Sequence, residues 1–411
     1  MADGLLAEPA AAARGDLAPA PPRWCAEPAI RWLAVEGRRI SKTRDLLQIL
    51  CDHLVDQGLA IAWVRVAIRT LHPQVFSYGY EWRHGQAEVR EVGLEHGIAT
   101  SPQYLNSPLR AVFEQGLVIR RSLEPPADLT EFGILADLRE SGLSDYIVFP
   151  VEFGAGRNNS VSWATDRPGG FSEDEIALLS DIVPILSTIL ETQSTRRTAG
   201  ALLDTYLGRD PGGRVLEGTI TRGEGEALRA IVMACDLRDF TPYSDTRESG
   251  EVIEALNDFF DAAGGPITAR GGEILKFIGD GFLAIFRIDD DCATASAQAA
   301  LAAVDEARAN VHALNRRRAA TGLSELRFGT ALHAGEVVYG NIGTADRLDF
   351  TVIGPAVNLA FRLEALTKEL GRAPLLSADF ARLCEVPTEP LGAHALRGLS
   401  EPVEVFAPSG G

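Results

Sequence analysis

The sequence predicts an α/β (α+β) protein built from two domains, and three observations lead there. Apolar runs of strand length, rich in β-branched and aromatic residues, alternate with stretches whose leucines recur at steps of three and four. The chain has 411 residues, more than one hydrophobic core normally serves. A cluster of breakers, Gly208-Arg209-Asp210-Pro211-Gly212-Gly213, then separates a first set of strands and helices from a second.

Composition narrows the class of function. With 46% hydrophobic and 23% charged residues both domains can fold in water. A net charge of −18 excludes a nucleic-acid binder, because nothing neutralises a phosphate backbone. A small nucleotide needs only a local cationic pocket and a metal, so it stays admissible. Cys25, Cys51, Cys235, Cys292 and Cys384 show no metal-ligand spacing and read as thiols of a reducing compartment. No run of 18 apolar residues and no basic-then-apolar leader is found, so a soluble, cytoplasmic protein without a membrane partner is expected.

In chain order, residues 1–30 are Ala/Pro-rich and read as a disordered tail. The first domain is expected over 40–192. Leucines 46, 47, 50 and 54 mark a helix from Thr43, which Gly58 is placed to end. Strands are expected over Ala60–Leu71 and Val75–Arg83, then a helix over Phe132–Ser141. Asp145–Phe153 is expected to pair with Ser160–Thr165 across a turn at 154–159. Ser172 with Glu175 three residues on forms a capping-box pattern that opens the last helix. Its stripe of Ile176, Leu179, Val183, Leu186 and Leu190 either zips two chains together or packs on the domain's own sheet, with Pro184 interrupting it. A helical linker is expected over 193–225.

The second domain is expected over 226–408. Ile231–Cys235 is an apolar strand that ends in Asp236, and Ile274–Phe286 is a hairpin with Asp280 at its tip. Aspartate is a poor strand residue, so two carboxylates at the exits of buried strands point to hard-oxygen ligands for Mg²⁺ or Mn²⁺, and thus to phosphate chemistry. Leu237-Arg238-Asp239-Phe240-Thr241 reads as a turn whose amides face a polyphosphate. A helix is expected over 249–262, a connection at Ala263-Gly264-Gly265-Pro266, and a long helix from Asp291, as N-cap, to about Ala320. Thr351–Glu364 passes from strand to helix with Pro355 in the first turn. Leu359, Leu363, Leu366 and Leu370 form its buried stripe, while Asn358 and Arg362, four apart, share another face as a clamp for a sugar and a phosphate. His333 reads as structural.

The element order of the first domain and the segment Phe171-Ser172-Glu173-Asp174-Glu175 resemble a GAF-type sensory module. The resemblance implies an effector, a small molecule or a protein, whose identity the residues do not specify. Four ordered stretches of the second domain, Cys235–Thr241, Lys276–Asp280, His333–Gly343 and Thr351–Glu364, resemble the class III nucleotidyl cyclases. That resemblance implies a ferredoxin-like catalytic domain that makes 3′,5′-cyclic AMP and pyrophosphate from ATP. It makes Asp236, Asp280 and the Leu237 carbonyl the ligands of two metal ions. Arg362 is placed on the α-phosphoryl group, Asn358 on the ribose, Lys276 and Thr351 on the base, and Phe240, Thr241 and Arg397 on the triphosphate.

The same resemblance implies a homodimer, in which one chain supplies the aspartates with Lys276 and Thr351 and the other supplies Asn358 and Arg362. Control by the first domain would pass through a helix over 172–206 paired between protomers. Many adenylate cyclases carry Asp where this chain carries Thr351. A hydroxyl both donates and accepts, so discrimination at this position is expected to be softer, and the threonine resembles a bacterial subgroup in which bicarbonate stimulation recurs. A guanylate cyclase and a non-catalytic nucleotide-binding scaffold are the alternatives, opposed by Lys276 and by the full set of site residues.

Overall fold

The computed structural model describes residues 27–72, 74–154, 156–289 and 292–409, in two compact units divided between Ala199 and Gly200. Most of the expected 1–30 tail lies outside the described residues, and a helix occupies its last positions.

The first unit comprises helices α1 (Glu27–Val35) and α2 (Thr43–Asp56), strands β1 (Trp63–Arg69), β2 (Val75–Arg83) and β3 (Arg90–Glu95), and short helices α3 (Pro102–Leu105) and α4 (Pro108–Gln115). Strand β4 (Ile119–Ser122), helix α5 (Gly133–Glu140), strands β5 (Asp145–Phe153) and β6 (Arg157–Thr165), and helix α6 (Glu173–Leu207), of which the part up to Ala199 belongs to this unit, follow. The strands form one antiparallel sheet in the order β3-β2-β1-β6-β5-β4. Period-2 alternation sends Val64, Val66, Ile68, Val161 and Trp163 to the face covered by α1, α2 and α6. Trp63, Ala67, Tyr146 and Val148 go to the face covered by α4 and α5.

The structure corrects two expectations here, the bounds of a turn and the break at Pro184, bears out the capping box and decides between the two readings of the α6 stripe. The β5–β6 turn is tighter than 154–159, since Arg157 already pairs with Phe153. The capping box forms, with the Ser172 N–H donating to Glu175 Oε2 at 2.8 Å and the Glu175 N–H to Ser172 Oγ at 3.3 Å. The stripe that follows packs on the unit's own sheet: Leu179, Leu186 and Leu190 are buried in the core, with Ile176 and Val183 half-buried against it. Pro184 lies on the exposed side, and α6 runs through it without a break.

The second unit opens with α7 (Arg209–Leu216) and the long strand β7 (Gly225–Leu237), followed by α8 (Phe240–Asp245) and α9 (Ser249–Ala269). Then come β8 (Glu273–Ile278), β9 (Gly281–Arg287), α10 (Ala293–Ala320), β10 (Phe328–Gly343), β11 (Leu348–Ile353) and α11 (Pro355–Leu370). Strand β12 (Leu375–Ser377), helix α12 (Ala378–Ala381), and strands β13 (Thr388–His394) and β14 (Val403–Pro408) complete it. The central sheet order is β10-β7-β9-β8 with every neighbour antiparallel, the ferredoxin-like order of a βαββαβ chain, extended on one side by β12, β14 and β13. Both faces of β7 are buried: Ile231, Met233, Cys235 and Leu237 against α9 and α10, Ala230, Val232 and Ala234 against α11 and β11. This is why the strand reads as a continuous apolar run.

Two breaker readings are corrected. Gly208, at φ 95°, does stop α6, but Arg209–Gly213 then forms the body of α7. Ala263–Pro266 continues α9 instead of connecting it to the hairpin, because a side chain at Gly264 would meet Ile274 Cδ1 at 2.8 Å and the bare backbone lets helix and strand close up. The expected N-cap Asp291 lies outside the described residues.

Candidate active site

The turn between β8 and β9 and the exit of β7 set the two aspartates side by side. In the β7–β9 ladder Asp236 is paired with Gly281, and the Leu237 N–H donates to the Asp280 carbonyl at 3.3 Å. A side chain at Gly281 would strike the Cys235 carbonyl and lie 2.6 Å from Asp236 Oδ1, so only glycine lets the two strand ends approach. Gly279, at φ 60°, supplies the left-handed residue of the turn. Asp236 is half-buried, and burial together with the Asp280 charge raises its pKa, with Arg238 partly opposing.

Two carboxylates held together with too little positive charge are a donor pair that fits a divalent cation. No group of three or more His, Cys, Asp or Glu among the described residues could hold a metal. A cation here therefore needs oxygens from the backbone and from a ligand besides the two carboxylates.

The loop after Asp236 is strained toward this spot. Asp239, at φ 55°, is the one described non-glycine residue in the left-handed region, and it turns the chain into α8. Its carboxylate is held by Arg327 at 3.1 Å and Lys368 at 3.8 Å. Asp236, Asp239, Phe240, Thr241, Asp280 and Glu364 line a cavity of about 440 Å³. Leu237 is buried, Phe240 is half-buried against Tyr243, and Thr241 is exposed.

Lys276 and Thr351 come together through a residue that sequence reasoning missed. Lys276 Nζ lies 3.1 Å from Asp349 Oδ2, and Asp349 shares a strand face with Thr351 two residues on. A register shift between Ile274 and Lys276 sets the lysine opposite Leu283. Thr351 is buried and its Oγ1 has no hydrogen-bond partner, an orphaned group that a ligand could satisfy. Lys276 and Asp349 line a separate cavity of about 980 Å³ that does not include the aspartates.

Asn358 and Arg362 are not brought to the aspartates within the chain. Asn358 is exposed, and the Arg362 guanidinium rests on the turn that carries the exposed Arg397, with Nη2 3.2 Å from where a Cβ on Gly398 would lie. Two residues further, Glu364 points the other way, since two helical steps turn about 200°. Glu364 meets Arg238 at 2.8 Å and is pushed up to about 7 by burial and by the charges of Asp236 and Asp280, which together outweigh Arg238. The face of α11 turned toward Asp236 and Asp280 thus carries Glu364, and the Asn358–Arg362 face looks away. Glu364 was legible only as a lone acid beside a leucine stripe. His333 is buried with Nδ1 2.8 Å from Ser377 Oγ, and burial lowers its pKa.

Residues 227–372 match the family described as Adenylate and Guanylate cyclase catalytic domain. An adenylate cyclase of Anabaena cylindrica is 35% identical over 189 residues, which cover 44% of this chain and 35% of the relative. Adenylate cyclase 1 of Rhizobium meliloti (strain 1021) is 33% identical over 179 residues, covering 42% of this chain and 26% of the relative. The chain thus spans about a third or less of the length of these curated relatives. The crystal structure of the adenylyl cyclase CyaB from P. aeruginosa is 27% identical with a TM-score of 0.41, covering 44% of this chain and 94% of that one.

Proposed function

We propose that the second unit, whose residues 227–372 match the adenylate and guanylate cyclase catalytic domain, acts as a class III nucleotidyl cyclase and converts ATP to 3′,5′-cyclic AMP and pyrophosphate. The observation that carries the reading is the closeness of Asp236, paired with Gly281 at the end of β7, to Asp280 in the adjoining β8–β9 turn, beside a loop with Asp239 in the left-handed region. Held by these two carboxylates and the Leu237 carbonyl, Mg²⁺ or Mn²⁺ would neutralise the triphosphate and make the ribose 3′-hydroxyl more acidic. The loop at Phe240 and Thr241 holds the triphosphate, with Arg397 on its outer phosphates. Lys276, fixed by Asp349, donates to adenine N1, and the unpaired Thr351 hydroxyl accepts from N6. Asn358 orients the ribose and Arg362 stabilises the charge that builds on the α-phosphoryl group as the 3′-oxygen bonds to phosphorus and pyrophosphate departs.

These roles need two chains. Asn358 and Arg362 face away from the aspartates of their own chain, and the cross-strand pair Val338–Ile353 is exposed at 43% and 49%, an apolar surface suited to a second copy. The first unit, as a GAF-like sensor, is proposed to regulate this dimer. Because Leu179, Leu186 and Leu190 lie in its own core, α6 pairing between protomers would have to use other residues.

The test is one assay with three proteins. Wild type incubated with ATP or GTP and Mg²⁺ or Mn²⁺ is expected to yield cyclic AMP in preference to cyclic GMP. Asp280→Ala is expected to yield neither while keeping its circular dichroism and Tm. Lys276→Glu is expected to lower the ATP-to-GTP ratio by tenfold or more, about 1.4 kcal/mol of discrimination. Wild type without product, or full activity in Asp280→Ala, would refute the proposal.

A further inference from the structure

Among the described residues of the first unit, two half-buried arginines make no ion pair. Seven described arginines of this unit are half-buried, and five of them have acceptors, as Arg120 has Asp145 and Arg139 has the Leu123 carbonyl. Arg65 and Arg69 make no side-chain hydrogen bond or ion pair among the described residues, and Arg69 Nε is enclosed without a partner. Both project from the same face of β1, about 13 Å apart along the strand. Ala67 lies between them, flanked by Gly79 on β2 and Ser160 on β6, so the floor there is made of small residues.

Donors without partners surround this floor. Ser160 is fully buried and its Oγ has no partner. Arg65 folds over the floor, with Nη2 3.3 Å from where a Cβ on Gly79 would lie, and the Arg69 guanidinium sits 5.0 Å from the Phe113 ring centroid. Glu81, the carboxylate directly across from Arg65, is engaged by Arg83 at 3.0 Å. Half-buried guanidinium groups without protein acceptors are costly, and an arriving anion would offset that cost.

We propose that this face of the first unit binds a small oxyanion, a carboxylate or phosphate group, gripped by Arg65 and Arg69 and hydrogen-bonded by the Ser160 hydroxyl. The site lies outside the catalytic domain and does not depend on its assignment. Guanidinium forks match either oxyanion, and Phe113 leaves an apolar wall for the body of an organic ligand.

The intact chain carries its own probe, since all of its tryptophans, Trp24, Trp32, Trp63, Trp82 and Trp163, precede residue 200, and Trp63 shares the strand face of Arg65. Tryptophan fluorescence is titrated with sodium phosphate and, separately, sodium acetate, each against sodium chloride of equal ionic strength. A saturable change with phosphate alone identifies a phosphate-bearing ligand, with acetate alone a carboxylate, and with both a general oxyanion site. In the Arg65→Gln/Arg69→Gln variant the midpoint is expected to move at least tenfold higher. Without added anion that variant is expected to melt at or above wild type, because two uncompensated cations are gone. The proposal fails if chloride reproduces the change, if neither anion produces one, if the variant responds as wild type does, or if its anion-free Tm drops by several degrees.

Discussion

Glu364 is where burial, charge and pH meet in a single residue. Its ordinary pKa is 4.5, and in the folded chain burial and the neighbouring Asp236 and Asp280 push it up to about 7, in spite of Arg238 at 2.8 Å. Below the ordinary value the acid is protonated whether folded or not, and it costs nothing. Between that value and the folded one the unfolded chain gives up the proton and the folded chain keeps it, so stability falls as pH rises across this window. With a chelator present, wild type is expected to lose a few degrees more of Tm than Glu364→Gln between pH 5 and pH 7. Parallel curves for the two proteins would show that the buried acid is not coupled to folding. Arg238 owes its place to Gly329, where any side chain would overlap its guanidinium.

Among the elements, the β8–β9 hairpin does most to assemble the site. Its register against β7 sets Asp280 beside Asp236, and its irregularity ahead of Lys276 aims the lysine at Asp349. Gly281→Ala tests this geometry without touching a charged group. The added methyl meets the Cys235 carbonyl, which belongs to the central strand and cannot swing aside, and it crowds Asp236. The variant is expected to lose about 1–3 kcal/mol in a denaturant titration and to lose cyclase activity out of proportion. Unchanged activity would mean that the strand ends need not be so close.

For the whole molecule, the proposed function turns on Asn358 and Arg362 facing away from the aspartates of their own chain. Neither Asp280→Ala nor Arg362→Ala alone is expected to make product. Mixed and allowed to exchange, they should regain about a quarter of wild-type activity, since random pairing makes half of the dimers mixed and each mixed dimer keeps one intact site. A mixture as inactive as its parts would place Arg362 in the same site as the aspartates of its own chain. No helix among the described residues is long and apolar enough to cross a membrane.

Local chemistry is legible in sequence wherever a residue contradicts its surroundings. Asp236 and Asp280 stand out because carboxylates do not end buried strands without a reason, and the Ser172 capping box and the α11 leucine stripe follow from short-range patterns, while the ferredoxin-like order of the second unit is expected only from the family resemblance. Glycine and proline mislead where packing decides: Gly264 is helical because β8 presses against it, and Gly212 and Gly213 are helical within α7. The stripe on α6 is periodic whether it meets another chain or its own sheet, and only the tertiary core shows the latter. Asp349 beside Lys276, Glu364 beside Arg238, and two arginines with nothing to bind are facts of distance between residues far apart in the chain. Sequence periodicity reports which way a side chain points, and the fold alone decides what it meets there.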